Sequence, residues 1–157
     1  MSKKIKLTKG YVTIVDDDNY SQLSQYSWCV STWADKTYAI RRNPENGKLI
    51  RMHRQIMKAT KGIEIDHING NTLDNRKQNL RLCKHKQNLA NQQLSRANSS
   101  GYKGVSWNKQ HKKWEAYIKV NQKRIHLGIF TDIKDAANAY NKSAKEHFGT
   151  FANLNIL

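Results

Sequence analysis

The stretch "IDHINGNTLDNRKQNLRLCKHKQNLAN", residues 65–91, holds the side chains best suited to chemistry. Asp66 offers hard carboxylate oxygens to a cation. His67 is the residue type that takes a proton near neutral pH. Six asparagines share the stretch with them. A run of Asn usually folds into Asx-turns, and Asn69, Gly70, Asn71, Asp74 and Asn75 are expected to do so. Cys29 and Cys83 lie far apart without a CxxC partner, so a cysteine-based zinc site is unsupported and two free thiols are expected.

These residues need elements to hold them. "IEI" before Asp66 reads as a strand, "NGN" as a turn, and "TLDNRKQNLRLC" as the return. "KHKQNLANQQLS" reads as a helix. Upstream, "YVTIV" and "TYAIRR" read as short strands, and "IRMHRQIMKAT" as a strand end running into a helix on which His53 packs. "DDNYSQLSQY" starts a short helix, and Asp16, Asp17 and Asp18 read as its cap and turn rather than as a metal cluster.

Composition bounds the partner. The 157 residues carry a formal net charge of +16, with pI near 10.0 and mean hydropathy of −0.85. The excess is spread over both halves, which points to a polyanion, and nucleic acid leads. No apolar run is long enough to span a membrane. The basic N-terminus lacks the apolar segment of a secretory signal, so a cytoplasmic location is expected.

"SRANSSGY", residues 95–102, reads as a linker, with a boundary near Asn98. That divides the chain into 1–97 and 98–157, with the catalytic core at about 50–94. In the second part, "KWEAYIKV" alternates, with Trp114, Ala116, Ile118 and Val120 on one face and Glu115, Tyr117 and Lys119 on the other. "RIHLGIF" alternates again, with Ile125, Leu127 and Ile129 opposite Arg124 and His126. "YKGVSWN" is a third strand. "TDIKDAANAYNKSAKEHFG" is a helix capped by Thr131 or Asp132, with a stripe of Ile133, Ala136, Ala137, Tyr140, Ala144 and Phe148 and a stop at Gly149. The expected fold is α+β, with a three-stranded antiparallel sheet packed on one helix. Its other face would present Tyr117, Lys119, Arg124 and His126, joined by Lys103, and such a face can enter a DNA major groove.

Residues 100–155 resemble the Apetala-2/ethylene-response-factor DNA-binding domain, through "YKGVSW", "KWEAYI", "HLGIF", "DAANAY" and the final "LN". The resemblance implies DNA contacts from Lys103, Gly104, Ser106, Asn108, Tyr117, Lys119, Arg124 and His126. Ser106 and Asn108 stand where plant members have Arg, so the plant target sequence does not carry over.

"IDHINGNTLDNRKQNLRL" followed by "KHKQNLAN" resembles the HNH endonucleases, in their Asn-type group of phage and intron-encoded homing enzymes. The first signature position falls on Asp66–His67. The central Asn is Asn79, 13 residues after Asp66, and the third is Asn88, 9 residues further on. His85 is out of register by three residues and is kept as a weaker candidate for that third position. The resemblance implies a ββα-metal unit holding one divalent ion, with Asp66 and Asn88 as ligands. Their oxygens suit Mg²⁺ or Mn²⁺ better than Zn²⁺. His67 would be the general base, and Asn79 would hold its imidazole. The expected partner is double-stranded DNA, with no membrane. A monomer would nick and a weak dimer could cut both strands. A phage-encoded copy would work in the host cytoplasm. The rivals are a DNA-binding transcriptional regulator with an inert HNH half, and an RNA-binding protein.

Overall fold

A computed structural model describes residues 1–33, 36–92, 94 and 97–157. The chain divides into two compact units, Met1–His85 and Lys86–Leu157. It is a mixed α/β protein with several small antiparallel sheets and, among the described residues, four α-helices.

In the first unit, strands β1 (Ser2–Lys6) and β2 (Val12–Asp16) form a hairpin, followed by helix α1 (Asp17–Leu23). Strands β3 (Cys29–Trp33), β4 (Lys36–Arg42) and β5 (Leu49–Arg51) make an antiparallel sheet in that order. Helix α2 (Met52–Met57) follows directly. Strands β6 (Glu64–His67) and β7 (Leu80–Cys83) then pair antiparallel. One core collects residues from most of these elements: Ile5, Val15, Leu23, Trp28, Ala39, Met52, Ile56, Ile65 and Leu80 among them. Asp16 does not cap α1 with its side chain, as the sequence suggests. Its Oδ2 accepts from the Lys77 amide at 2.7 Å, which ties the hairpin to the segment before β7. Asp17 instead pairs with Lys3 at 2.6 Å.

Helix α3 (His85–Ala90) starts at the division between the units. The compact units thus divide at His85, and the sequence places its boundary near Asn98. The cause is local. Lys103 Nζ donates to the Ala90 and Gln92 carbonyls at 2.9 and 2.6 Å, and Asn153 Nδ2 donates to Gln92 O at 3.0 Å. The end of α3 is thus bound into the second unit. Part of the expected linker, at residues 95 and 96, lies outside the described residues, as does residue 93 of the expected helix.

The second unit holds β8 (Val105–Asn108), β9 (Lys113–Val120) and β10 (Lys123–Phe130), in the order β10-β9-β8, with helix α4 (Ile133–Phe148). Asn121 and Gln122 both take positive φ, 49° and 69°, as a two-residue hairpin turn requires. Asp132 caps α4 by accepting from the Lys134 amide at 2.6 Å. Ala136, Ala137, Tyr140 and Ala144 bury the expected stripe, and the small alanines bring α4 close to Val105, Ala116 and Ile118. Asn141 and Asn155 close the unit: the Asn155 amide N–H donates to Asn141 Oδ1, and Asn155 Oδ1 accepts from the Lys103 amide, both at 2.7 Å.

The expected alternation of β10 fails at one point. The register shifts between His126 and Gly128, so Ile129 pairs with Glu115 and Phe130 with Trp114. The extra residue of the bulge flips the pattern. Ile129 moves to the face turned from α4, and Phe130 takes its place in the core.

Candidate active site and nucleic-acid face

Asp66 and His67 end β6, and both are buried. Ile65, between Glu64 and Asp66, faces the core, so the strand's alternation turns Asp66 the opposite way. The register sets Asp66 across from Arg81. Asp66 Oδ2 accepts from Arg81 Nε at 2.8 Å and from Nη2 at 2.6 Å. A buried carboxylate requires such a counter-charge. Its oxygens are hard donors that fit a divalent cation of the Mg²⁺ type. Cys83, the partner of Glu64 on β7, is no competitor: burial pushes its thiol up to about 11. Both cysteines are free thiols, Cys29 exposed and Cys83 buried.

His67 sits among rings. Its centroid is 5.1 Å from that of His53, at an interplanar angle of 89°, and 6.3 Å from that of Tyr38. Burial holds the His67 pKa below the usual 6.5, while the Asn75 hydrogen bond and the Asp66 charge oppose that shift. The imidazole is therefore neutral at neutral pH, the state a general base requires.

His53 packs as expected and carries the larger shift, lowered to about 3 by burial first and then by His67, Arg51 and Arg54. A base whose folded pKa is lowered binds protons better when unfolded, so stability is lost as pH falls from the usual 6.5 toward 3. Urea midpoints measured across that range should fall less steeply in His53→Gln than in the unaltered chain. Parallel curves would show that His53 is not held neutral by the fold.

The polar segment after His67 is cross-linked by its own side chains. Asn69 Oδ1 accepts from the Asn71 amide at 2.8 Å, and Asn71 Oδ1 from the Leu73 amide at 3.0 Å, two Asx-turns as expected. Asp74 is buried and pairs with Arg76 at 2.6 Å, and Asn69 Nδ2 donates to it at 3.0 Å. Asn79 and Asn75 exchange the roles the sequence suggests. Asn79 spends its amide on main chain: Oδ1 accepts from the Asn69 N–H at 3.0 Å, and Nδ2 donates to Asp74 O at 2.8 Å. It clamps the loop that leaves His67 and does not hold the imidazole. Asn75, expected to shape a turn, is 1% exposed, and its Oδ1 lies 3.3 Å from His67 Nε2. Nothing in the periodicity separates Asn75 from its polar neighbours.

Asp66, His67 and Asn79 thus come together in the first unit. Asn88 is half-buried on α3 and belongs to the second. His85 is exposed, with Nδ1 2.9 Å from Glu64 Oε1.

In the second unit, Ser106, Glu115, Tyr117, Lys119, Arg124 and His126 share the sheet face turned from α4, by the cross-strand register. Asn108, across from Lys113, is on the same side, with Nδ2 3.4 Å from Glu115 Oε2. The Arg124 guanidinium lies 3.8 Å from the Tyr117 ring centroid. Glu115, left out of the sequence-derived contacts, stands centrally on that face. Its Oε1 is 3.5 Å from Arg124 Nη2 and 3.6 Å from His126 Nε2. Its place was legible from the alternation of β9.

Two expected contacts are absent from that face. Lys103 precedes β8, and its ammonium is taken by the Ala90 and Gln92 carbonyls. Burial lowers its pKa to about 8. Gly104 is packed against Tyr140, with φ +73°. Both positions are explained by packing inside the unit.

Comparison with known proteins supports the reading of the first unit. Residues 52–90 match the HNH endonuclease family model. The chain is 31% identical over 150 residues to an uncharacterized HNH endonuclease, L560, of Acanthamoeba polyphaga mimivirus, covering 92% of this chain and 74% of that one. It is 34% identical over 110 residues to Protein 3.8 of Escherichia phage T7, covering 67% of this chain and 90% of that one. No solved structure gives a significant match. No helix among the described residues is long and apolar enough to cross a membrane. With the Asp66–His67 pair buried at a strand end inside the matched segment, the chain belongs to the HNH endonuclease family.

Proposed function

We propose that this chain is a metal-dependent endonuclease of double-stranded DNA, of the homing type, with His67 as general base. The observation that carries this is the neutral, buried His67 beside the buried Asp66 carboxylate. His67 accepts a proton from water. The resulting hydroxide attacks phosphorus in line, the new O–P bond forms, the bond to the 3′ oxygen breaks, and that oxygen takes a proton from solvent water. The products are a 5′-phosphate and a 3′-hydroxyl. Asp66 would ligate one Mg²⁺ or Mn²⁺ ion. When bound, such an ion neutralises charge on the scissile phosphate and the leaving oxygen. Asn79 supports the base through the loop rather than by touching its ring.

The second unit is proposed as a DNA-binding domain of the Apetala-2/ethylene-response-factor type. Ser106, Asn108, Tyr117, Lys119, Arg124 and His126 would read the major groove from the sheet face. The surplus of Lys and Arg would bind phosphates and make affinity salt-dependent.

Supercoiled plasmid and linear fragments, including sequence flanking the chain's own gene, provide the test. Nicking with Mg²⁺, abolished by EDTA, is the expected result. DNA bound in a gel shift but never nicked, with either Mg²⁺ or Mn²⁺, would replace the nuclease with a DNA-binding regulator. Mg²⁺-dependent cleavage confined to structured RNA would replace the substrate.

A further inference from the structure

Residues ahead of the matched segment reach the base. Thr13 on β2 is fully buried, and its hydroxyl is 2.7 Å from Leu73 O and 2.8 Å from Asn75 Nδ2. The main chain is stapled at the same place: the Ile14 amide donates to Leu73 O at 2.9 Å, and the Asn75 amide to Ile14 O at 2.8 Å. The N-terminal hairpin is therefore bonded along the loop that carries Asn75.

The protons in this chain of bonds follow from donor and acceptor chemistry alone. A carbonyl oxygen only accepts, so the bond at 2.7 Å consumes the single proton of the Thr13 hydroxyl. Met52 Sδ, 3.9 Å away, is the weaker competitor for that proton. Thr13 Oγ1 is left with lone pairs, so the atom of Asn75 facing it must donate and is the amide nitrogen. Asn75 then turns its oxygen to His67. An amide oxygen accepts, so His67 Nε2 carries the proton.

We propose that Thr13 and Asn75 are positioning residues that lock His67 in the tautomer protonated on Nε2, which leaves Nδ1 as the ring nitrogen without a proton. Thr13 acts from outside the matched segment at residues 52–90, which gives the N-terminal hairpin a role in the reaction. The proposal deepens the nuclease reading and rests on it only for the catalytic step. The tautomer stands on geometry.

The decisive measurement is the ¹⁵N NMR signature of His67 in the whole chain, at a pH well above the ordinary histidine value. A protonated Nε2 and an unprotonated Nδ1 are expected. A protonated Nδ1 in the unaltered chain overturns the proposal, whether or not any cleavage is found. Absence of cleavage with the expected tautomer overturns the nuclease reading alone. Thr13→Val keeps the shape and removes the hydroxyl. It should mix the two tautomers and lower kcat about 10- to 100-fold, the usual cost of losing an orienting partner of an imidazole, with KM for DNA unchanged. Thr13→Ser should restore both readouts. A Thr13→Val protein with one tautomer and unchanged kcat overturns the relay. If that variant does not fold, the unaltered chain and Thr13→Ser still decide the tautomer.

Discussion

Replacing His67 with alanine is expected to slow DNA cleavage by about 10²–10⁴-fold, the range a positioned general base supplies. DNA affinity and its dependence on salt should stay as they were. The two readouts separate because the proposed phosphate and base contacts are made by other residues. His67 is 5% exposed and packs against His53 and Tyr38, so alanine also leaves a cavity. His67→Gln is the control, since it fills more of the space and still cannot serve as the base. If the lost rate came from disturbed packing, His67→Gln would recover much of it. If it came from the missing base, both variants would be slow while Gln melts closer to the unaltered chain. Cleavage that persists in both would move the base to another residue. The neutral His53 next to His67 is then the first to examine, because it shares the same ring cluster.

The sequence was most legible where one periodicity ran uninterrupted. The alternation of "KWEAYIKV" predicts which face of β9 is buried, and the stripe on α4 predicts Ala136, Ala137, Tyr140 and Ala144 as its core contacts. Asp66 and His67 were legible by residue type and place. What was lost depends on partners far along the chain or on a single backbone irregularity. Thr13 reads as one inward residue of a short strand, and no local pattern says that it meets Asn75, 62 residues away. Asn75 and Asn79 have the same chemistry, so spacing could name an orienting asparagine but could not assign the contact with the ring. Strand β1 buries only Ile5 and offers no alternation to read. The β10 bulge shifts Ile129 to the open face through one extra residue, which hydropathy does not mark. Lys103 reads as a groove contact by charge, whereas its ammonium supplies hydrogen bonds to main-chain carbonyls.

Gly104→Ala is expected to destabilise the second unit by about 2–4 kcal/mol, from the cost of a left-handed backbone with a Cβ added to that of overpacking. At φ +73°, a Cβ would stand 2.1 Å from Tyr140 Cδ2 and 2.5 Å from Tyr117 O. Neither contact is tolerable, and they differ in kind. The Tyr140 ring is buried against α4's neighbours, deep enough that burial pushes its hydroxyl up to about 12, so it has little room to turn. Tyr117 O is main chain of β9, and the adjacent Tyr117 amide donates to Gly104 O at 2.8 Å. Relief there would pull apart the hydrogen bond that holds the segment before β8 to the sheet. For a unit of this size, such a loss lowers Tm by roughly 10–25 °C. The measurement discriminates between two roles for this position. A glycine needed for packing gives a lower Tm, and DNA affinity that falls only with the folded fraction. A glycine needed for close approach to DNA gives an unchanged Tm and weakened binding at every temperature. The clash with main chain, which no rotamer change can remove, makes the first outcome the expected one.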